Sequence, residues 1–135
     1  MNTQLVKDHM TSPVISISAS TSLAETHKIM AESKVRRLPV VDGDRLVGIV
    51  SLNDVLEAKP SDASSLSIWE LNYLVANLKI KDIMCSTVFS IAPDATIGDA
   101  ARMMLDKKFS GIPVTENDKL IGIITESDIF RMLAS

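Results

Sequence analysis

The sequence predicts an α/β chain of the α+β kind, built as two tandem β-α-β-β-α repeats packed with pseudo-two-fold symmetry. Three observations lead there. The chain repeats itself without a gap: Met10 aligns with Met84, Pro39 with Pro113, Gly48 with Gly122 and Asp54 with Asp128, each pair 74 positions apart. Within each copy, β-branched runs alternate with stretches of helical apolar spacing. Finally, a copy of about fifty residues is marginal alone, because its surface outweighs its interior. Two copies in 135 residues are therefore expected to share one core and to form paired, equivalent clefts. Repeat 1 is placed at 6–57, a linker at 58–79 and repeat 2 at 80–134.

Each element has its own signal. Val14-Ile15-Ser16-Ile17 and Val88-Phe89-Ser90-Ile91 are short β-branched runs and read as strands. Ser22-Leu23-Ala24-Glu25 and Thr96-Ile97-Gly98-Asp99 put a hydroxyl three residues before an acid, which starts a helix. Leu23, Thr26/His27 and Met30, then Ile97, Ala100/Ala101 and Met104, give those helices an apolar face. Leu38–Val41 and Ile112–Thr115 return to strand. After the polar turns Asp42-Gly43-Asp44 and Glu116-Asn117-Asp118, Leu46–Val50 and Leu120–Ile124 close each hairpin. The last helices start at Ser51 and Thr125.

Gly48 and Gly122 fall in mid-strand, where glycine weakens packing. Close approach of another backbone or a ligand is one reading; a bulge or tight helix contact is the other. In the linker, Ser67-Ile68-Trp69-Glu70 is a third helix start, followed by Leu71, Leu74/Val75 and Leu78 on one face. That helix is expected to cover core, with Trp69 and Tyr73 at a dimer interface as the alternative.

Composition narrows the function. Apolar content is 46% but aromatics only 4%, so Val, Ile, Leu and Met must fill the core. A net charge of −3 with scattered Lys and Arg argues against nucleic-acid binding, which needs clustered cations. Apolar runs such as LVGIV are too short to span a bilayer, and MNTQLVKDHM lacks a signal-peptide core. With Cys85 alone, no intrachain disulfide forms, and the cytoplasm is the expected compartment. Cys85, His9 and His27 show no nucleophile context, no metal-ligand spacing occurs, and the usual phosphate loops are missing. The chain is expected not to be an enzyme and to require no cofactor.

The segments that could carry function are Gly48-Ile49-Val50-Ser51-Leu52-Asn53-Asp54 and Gly122-Ile123-Ile124-Thr125-Glu126-Ser127-Asp128. Each ends a strand in a hydroxyl and places an aspartate three residues on, at a helix start. This is a capping box with Asp in place of Glu. The same carboxylate could also accept hydrogen bonds from both hydroxyls of a ribose, and the helix N-terminus could meet a phosphate.

K-D-x-M, (L/I)-P-V, D-x-L-(V/I)-G-I and (S/T)-x-x-D, all twice and in order, resemble the motifs of CBS domains. The whole chain resembles stand-alone bacterial proteins made of one CBS pair, a Bateman module, over 6–57 and 80–134. Ile68–Lys79 is similar to the linker of such proteins, including acetoin-utilisation-type ones. The resemblance implies a regulatory module that binds adenosyl ligands (AMP, ADP, ATP or S-adenosylmethionine) in two clefts. It implies that Asp54 and Asp128 hold the ribose diol, Ser51 and Thr125 lie near ribose or phosphate, and Ile49 and Ile123 flank the adenine. Thr11, Pro13 and Val14, with Cys85, Thr87 and Val88, would line the base; Arg36 and Arg37, with Ser110 and Gly111, would stand near phosphate. Two arginines against Ser-Gly predict that a phosphorylated adenosine prefers the Asp54 cleft. A homodimer through the helical faces and a separate effector protein are the expected partners. An interaction scaffold with non-functional clefts is the alternative.

Overall fold

Proline and capping chemistry explain most of the local structure. The computed structural model describes residues 3–58 and 78–135. In chain order its elements are β1 (Ile17–Ser18), α1 (Leu23–Ser33), β2 (Arg37–Asp42), β3 (Arg45–Ser51), α2 (Leu52–Ala58), α3 (Ile97–Lys107), β4 (Gly111–Glu116), β5 (Lys119–Thr125) and α4 (Glu126–Ala134). Single 3-10 turns at Val6–Asp8 and Ile80–Asp82 open the two repeats. The fold is mixed α+β, with a β-α-β-β-α order in repeat 1. Apart from Leu78, the expected linker helix with Trp69 and Tyr73 lies outside the described residues; Leu78 is half-buried.

The first strand of each repeat is shorter than the β-branched runs suggest. In repeat 1 only Ile17 and Ser18 pair, in parallel with Val40 and Val41. In repeat 2 a single parallel bridge joins Ile91 to Val114. The proline of the (L/I)-P-V motif is the cause. Extending either ladder two residues back would require a backbone donor from Pro39 or Pro113, and proline has none.

The helices begin where the hydroxyls stand. Ser22 accepts from the Glu25 amide at 3.1 Å. Thr96 and Asp99 form a reciprocal box, at 3.1 and 3.2 Å. Both α1 and α3 end on a lysine in the left-handed region, Lys34 (φ 56°) and Lys108 (φ 59°).

The described residues fall into two compact units that do not follow the repeat boundary. Unit 1 draws on Met1–Val14, Asp44–Leu46 and Phe89–Ser135, and unit 2 on Ile15–Gly43 and Val47–Val88. Each repeat therefore lends its opening segment to the unit of the other. In unit 1 the Val6 and Lys7 amides donate to Ala95 and Pro93 carbonyls at 2.8 and 2.9 Å, and the Ile97 amide donates to Gln4 at 2.7 Å. In unit 2 the Ile80 and Lys81 amides donate to Thr21 and Ala19, both at 3.0 Å, and Leu23 donates to Leu78 at 3.3 Å.

Among the described residues the buried apolar side chains gather in two clusters, one in each unit. One gathers Ile97, Met104, Ile112, Val114 and Ile124 around Val6; the other gathers Leu23, Met30, Leu38, Val40 and Val50 around Ile80. Val6 and Ile80 are fully buried, so each unit gains an interior side chain that its own repeat does not supply. Burying one aliphatic side chain of this size contributes about 1.5–3 kcal/mol.

In unit 2, β1, β2 and β3 are neighbours in the sheet. In unit 1, β4 and β5 pair antiparallel from Gly111↔Thr125 to Glu116↔Lys119, with a bulge at Val114/Thr115. The start of β3 joins that unit through Arg45↔Lys119.

Candidate functional site

β3 and β5 each deliver a hydroxyl residue to the mouth of a helix, and the aspartate follows on the first turn. In unit 2 the Ser51 amide donates to Asp54 Oδ2 at 2.9 Å, and the Asp54 amide donates to Ser51 Oγ at 3.1 Å. In unit 1 the Thr125 amide donates to Asp128 Oδ2 at 2.9 Å, and the Asp128 amide to Thr125 Oγ1 at 3.2 Å. The capping reading of (S/T)-x-x-D is therefore realised in both units. It fixes each carboxylate at a helix start, where the local dipole favours a negative charge.

The two glycines decide between their readings. A Cβ on Gly48 would come within 2.5 Å of Met84 Sδ and 3.1 Å of the Cys85 carbonyl oxygen. A Cβ on Gly122 would come within 2.6 Å of Met10 Sδ and 3.0 Å of the Thr11 carbonyl oxygen. Close backbone approach is the reason for glycine, and the methionine of K-D-x-M is what fills the space. That approach lets Cys85 and Ile49 exchange backbone hydrogen bonds at 2.8 and 3.0 Å, and Thr11 and Ile123 do the same at 2.8 and 3.0 Å.

The consequence is a pairing across repeats inside each unit. Thr11, from the start of repeat 1, stands beside Ile123, Thr125 and Asp128. Cys85, from the start of repeat 2, stands beside Ile49 in the unit that holds Ser51 and Asp54. Pro13 is exposed and Val14 half-buried in unit 1; Thr87 is exposed and Val88 half-buried in unit 2. Ser12 Oγ donates to the Ile121 carbonyl at 2.9 Å and ties the Pro13 segment to β5. Arg36 and Arg37 are exposed, and the Arg36 carbonyl accepts from the first α2 amide, Leu52, at 2.7 Å. Ser110 holds the matching place, accepting from Glu126 at 3.0 Å, and Gly111 pairs with Thr125.

Two partners of Asp128 escaped the sequence reading. Thr11 Oγ1 donates to Asp128 Oδ1 at 3.1 Å, and Arg131 Nη1 donates to the same oxygen at 2.9 Å. Thr125 Oγ1 adds a bond to Oδ2 at 3.0 Å. The Asp128 side chain is only 3% exposed, whereas that of Arg131 is 72% exposed. The i,i+3 spacing of Asp128 and Arg131 was the available signal. The Thr11 bond spans 117 positions and had none.

Among the described residues, no group of three or more His, Cys, Asp or Glu could hold a metal ion, and no helix is long and apolar enough to cross a membrane.

Solved structures of the same architecture are found. The chain is 31% identical to CBSX2 of Arabidopsis thaliana, solved with AMP, over 97% of this chain and 96% of that one, with a TM-score of 0.80. It is 30% identical to the CBS domain pair of protein MJ0100, solved with 5′-methylthioadenosine and S-adenosyl-L-methionine, over 97% and 96%, with a TM-score of 0.76. Among curated proteins it is 34% identical to the uncharacterized protein MJ1232 of Methanocaldococcus jannaschii, over 90% of this chain. The chain spans 36%, 43% and 13% of the lengths of three curated relatives it matches. The family model described as CBS domain matches residues 6–61 and again 80–135. That double match, laid over two units with the same capped aspartate and the same methionine-filled glycine, makes the chain a tandem member of the CBS-domain family.

Proposed function

We propose that this chain is a regulatory module that binds an adenosyl ligand and transmits its presence by a ligand-dependent change of conformation or dimer. The observation that carries the reading is Asp54. Its Oδ2 is held by the Ser51 amide, while its Oδ1 meets no protein donor among the described residues. A half-buried carboxylate so placed can accept both hydroxyls of a ribose. AMP, 5′-methylthioadenosine and S-adenosylmethionine, the molecules named with CBSX2 and MJ0100, share that ribose and differ at its 5′ end. Ile49 and the Cys85–Val88 segment supply apolar and backbone surface for the base. Arg36 and Arg37 supply cations for a 5′-phosphate, so AMP, ADP or ATP suits the Asp54 site better than S-adenosylmethionine does.

The role is binding rather than catalysis, in the cytoplasm, with no required cofactor. A ligand shifts a conformational equilibrium only if it binds the two states unequally, and in this reading an effector protein recognises one of them. Leu105, Phe130 and Leu133 are 79%, 64% and 67% exposed on α3 and α4, which supports a homodimer through helical faces. The same residues favour the second reading, an interaction scaffold whose clefts hold nothing.

Calorimetric titration of nucleotide-stripped protein with AMP, ADP, ATP, S-adenosylmethionine and 2′-deoxy-AMP separates the two. The sensor reading expects binding that weakens without the 2′-hydroxyl and whose tighter component is lost in Asp54→Ala. Silence toward every ligand, with no thermal shift, would leave the scaffold.

A further inference from the structure

The two aspartates occupy matched positions, yet their carboxylates differ in how many donors they already hold. A carboxylate offers about four acceptor positions. At Asp128 these are taken by the Thr125 amide and Thr125 hydroxyl on Oδ2, and by the Thr11 hydroxyl and Arg131 guanidinium on Oδ1. The Thr11 hydroxyl also lies 3.4 Å from Oδ2, so its single proton is shared between the oxygens. At Asp54 only the Ser51 amide donates to the carboxylate among the described residues. The residues at the matched places explain the contrast. Cys85 stands where repeat 1 has Thr11, and its Sγ is turned to the Thr87 carbonyl at 3.4 Å. Glu57 stands where repeat 2 has Arg131 and cannot donate at all.

We infer that Arg131 and Thr11 form an internal lock on Asp128, and that this lock sets the order in which the two sites fill. The inference rests on the adenosyl-binding reading above. A ribose diol brings two donors that need acceptors on one carboxylate. Asp54 has them ready. Asp128 must first release Thr11 and Arg131, each of which then needs a new partner. Arg131 finds one in water, since its side chain is largely exposed; Thr11 is exposed as well. The lock is thus breakable rather than permanent, and it weakens as salt screens the Arg131–Asp128 pair. The Asp54 site fills at low ligand concentration and the Asp128 site at higher concentration, so one chain reads two concentration ranges.

Adenosine is the probe, because it carries the diol and no phosphate that a released Arg131 could attract. The Asp128 site is isolated in Asp54→Asn, which keeps an acceptor for the helix cap. Adding Arg131→Ala to that variant is expected to tighten adenosine binding about tenfold, the effect of removing one charge-assisted bond to a carboxylate on a partly screened cation. The gain is expected to vanish with 2′-deoxyadenosine, which a general loosening of α4 would not do. Thr11→Val, placed on the same Asp54→Asn background, opens the other bond and is expected to act in the same direction by a smaller factor. Equal or weaker adenosine binding on removing Arg131 from the Asp54→Asn variant, while the wild-type chain binds, would overturn the lock alone. If wild type and every variant give no heat with adenosine or AMP, the adenosyl reading falls, and the lock with it.

Discussion

Asp54 and Asp128 are held by the same cap at the same turn of equivalent units, and they are left with different chemistry. The cap is a property of the repeat: a strand ends in Ser51 or Thr125, and the aspartate closes on the amide. What distinguishes the sites comes from the neighbours: Arg36 and Arg37 against Ser110 and Gly111, Cys85 against Thr11, Glu57 against Arg131. The two copies thus share the residues that shape the backbone and the cap, and differ at the positions around them. If this is right, substitutions at the shared scaffold should hurt both units alike, and exchanges at the differing positions should convert one site toward the other.

The largest effect is expected at the shared scaffold. Ile80 and Val6 are the fully buried side chains that each repeat inserts into the unit of the other. Ile80→Ala is expected to cost about 2–5 kcal/mol, and Val6→Ala somewhat less for its smaller volume. Denaturant titration checks both. A loss under about 0.5 kcal/mol for either would mean that its 3-10 turn is not part of the cooperative unit, and the equivalence of the units would fail.

Next in size is an exchange. Glu57→Arg with Cys85→Thr rebuilds the Asp128 surroundings at Asp54. Such a carboxylate is expected to bind AMP about tenfold more weakly, or about 1.4 kcal/mol, because its open acceptors become occupied. Calorimetry with AMP reads this directly. Unchanged affinity would show that the donor count around the carboxylate does not govern occupancy.

These contrasts were legible to very different degrees. The repeat, the helix starts and the hairpins follow from local chemistry: Ser22, Thr96, Ser51 and Thr125 all cap as their spacing predicts. The fold class and the CBS resemblance rest on that local record. The first strands are shorter than their sequence suggests, because the β-branched run Val14–Ile17 is visible while the missing donor lies on Pro39, in a partner strand. The exchange of opening segments was not legible, since nothing in VKDHM says which repeat it serves. For the same reason the resemblance places Thr11 at the site, while its bond to Asp128 follows only from the fold. Contacts between residues more than a hundred positions apart need the fold before they can be read.

The smallest contrast lies in the caps of α1 and α3, and it can be tested by pH. At Thr96 the box is reciprocal: the backbone amide of Thr96, and after it the Thr96 side chain, hold the Asp99 carboxyl below its ordinary value of 3.8. Ser22 Oγ accepts from the Glu25 amide, and the Glu25 carboxylate accepts no return bond from the Ser22 amide among the described residues. The sign follows from linkage. A carboxyl whose folded pKa is depressed contributes stability that is present above its unfolded pKa and is lost as pH falls through the folded value. The helix α3 cap should therefore weaken below about pH 4, and Asp99→Asn should remove that part of the acid dependence while leaving Ser22 and α1 untouched. Melting curves between pH 5 and pH 2 are the measurement. Parallel acid limbs for wild type and Asp99→Asn would mean that the reciprocal bond contributes nothing in solution. The two caps would then be equivalent, and the difference between the repeats would be confined to the residues around Asp54 and Asp128.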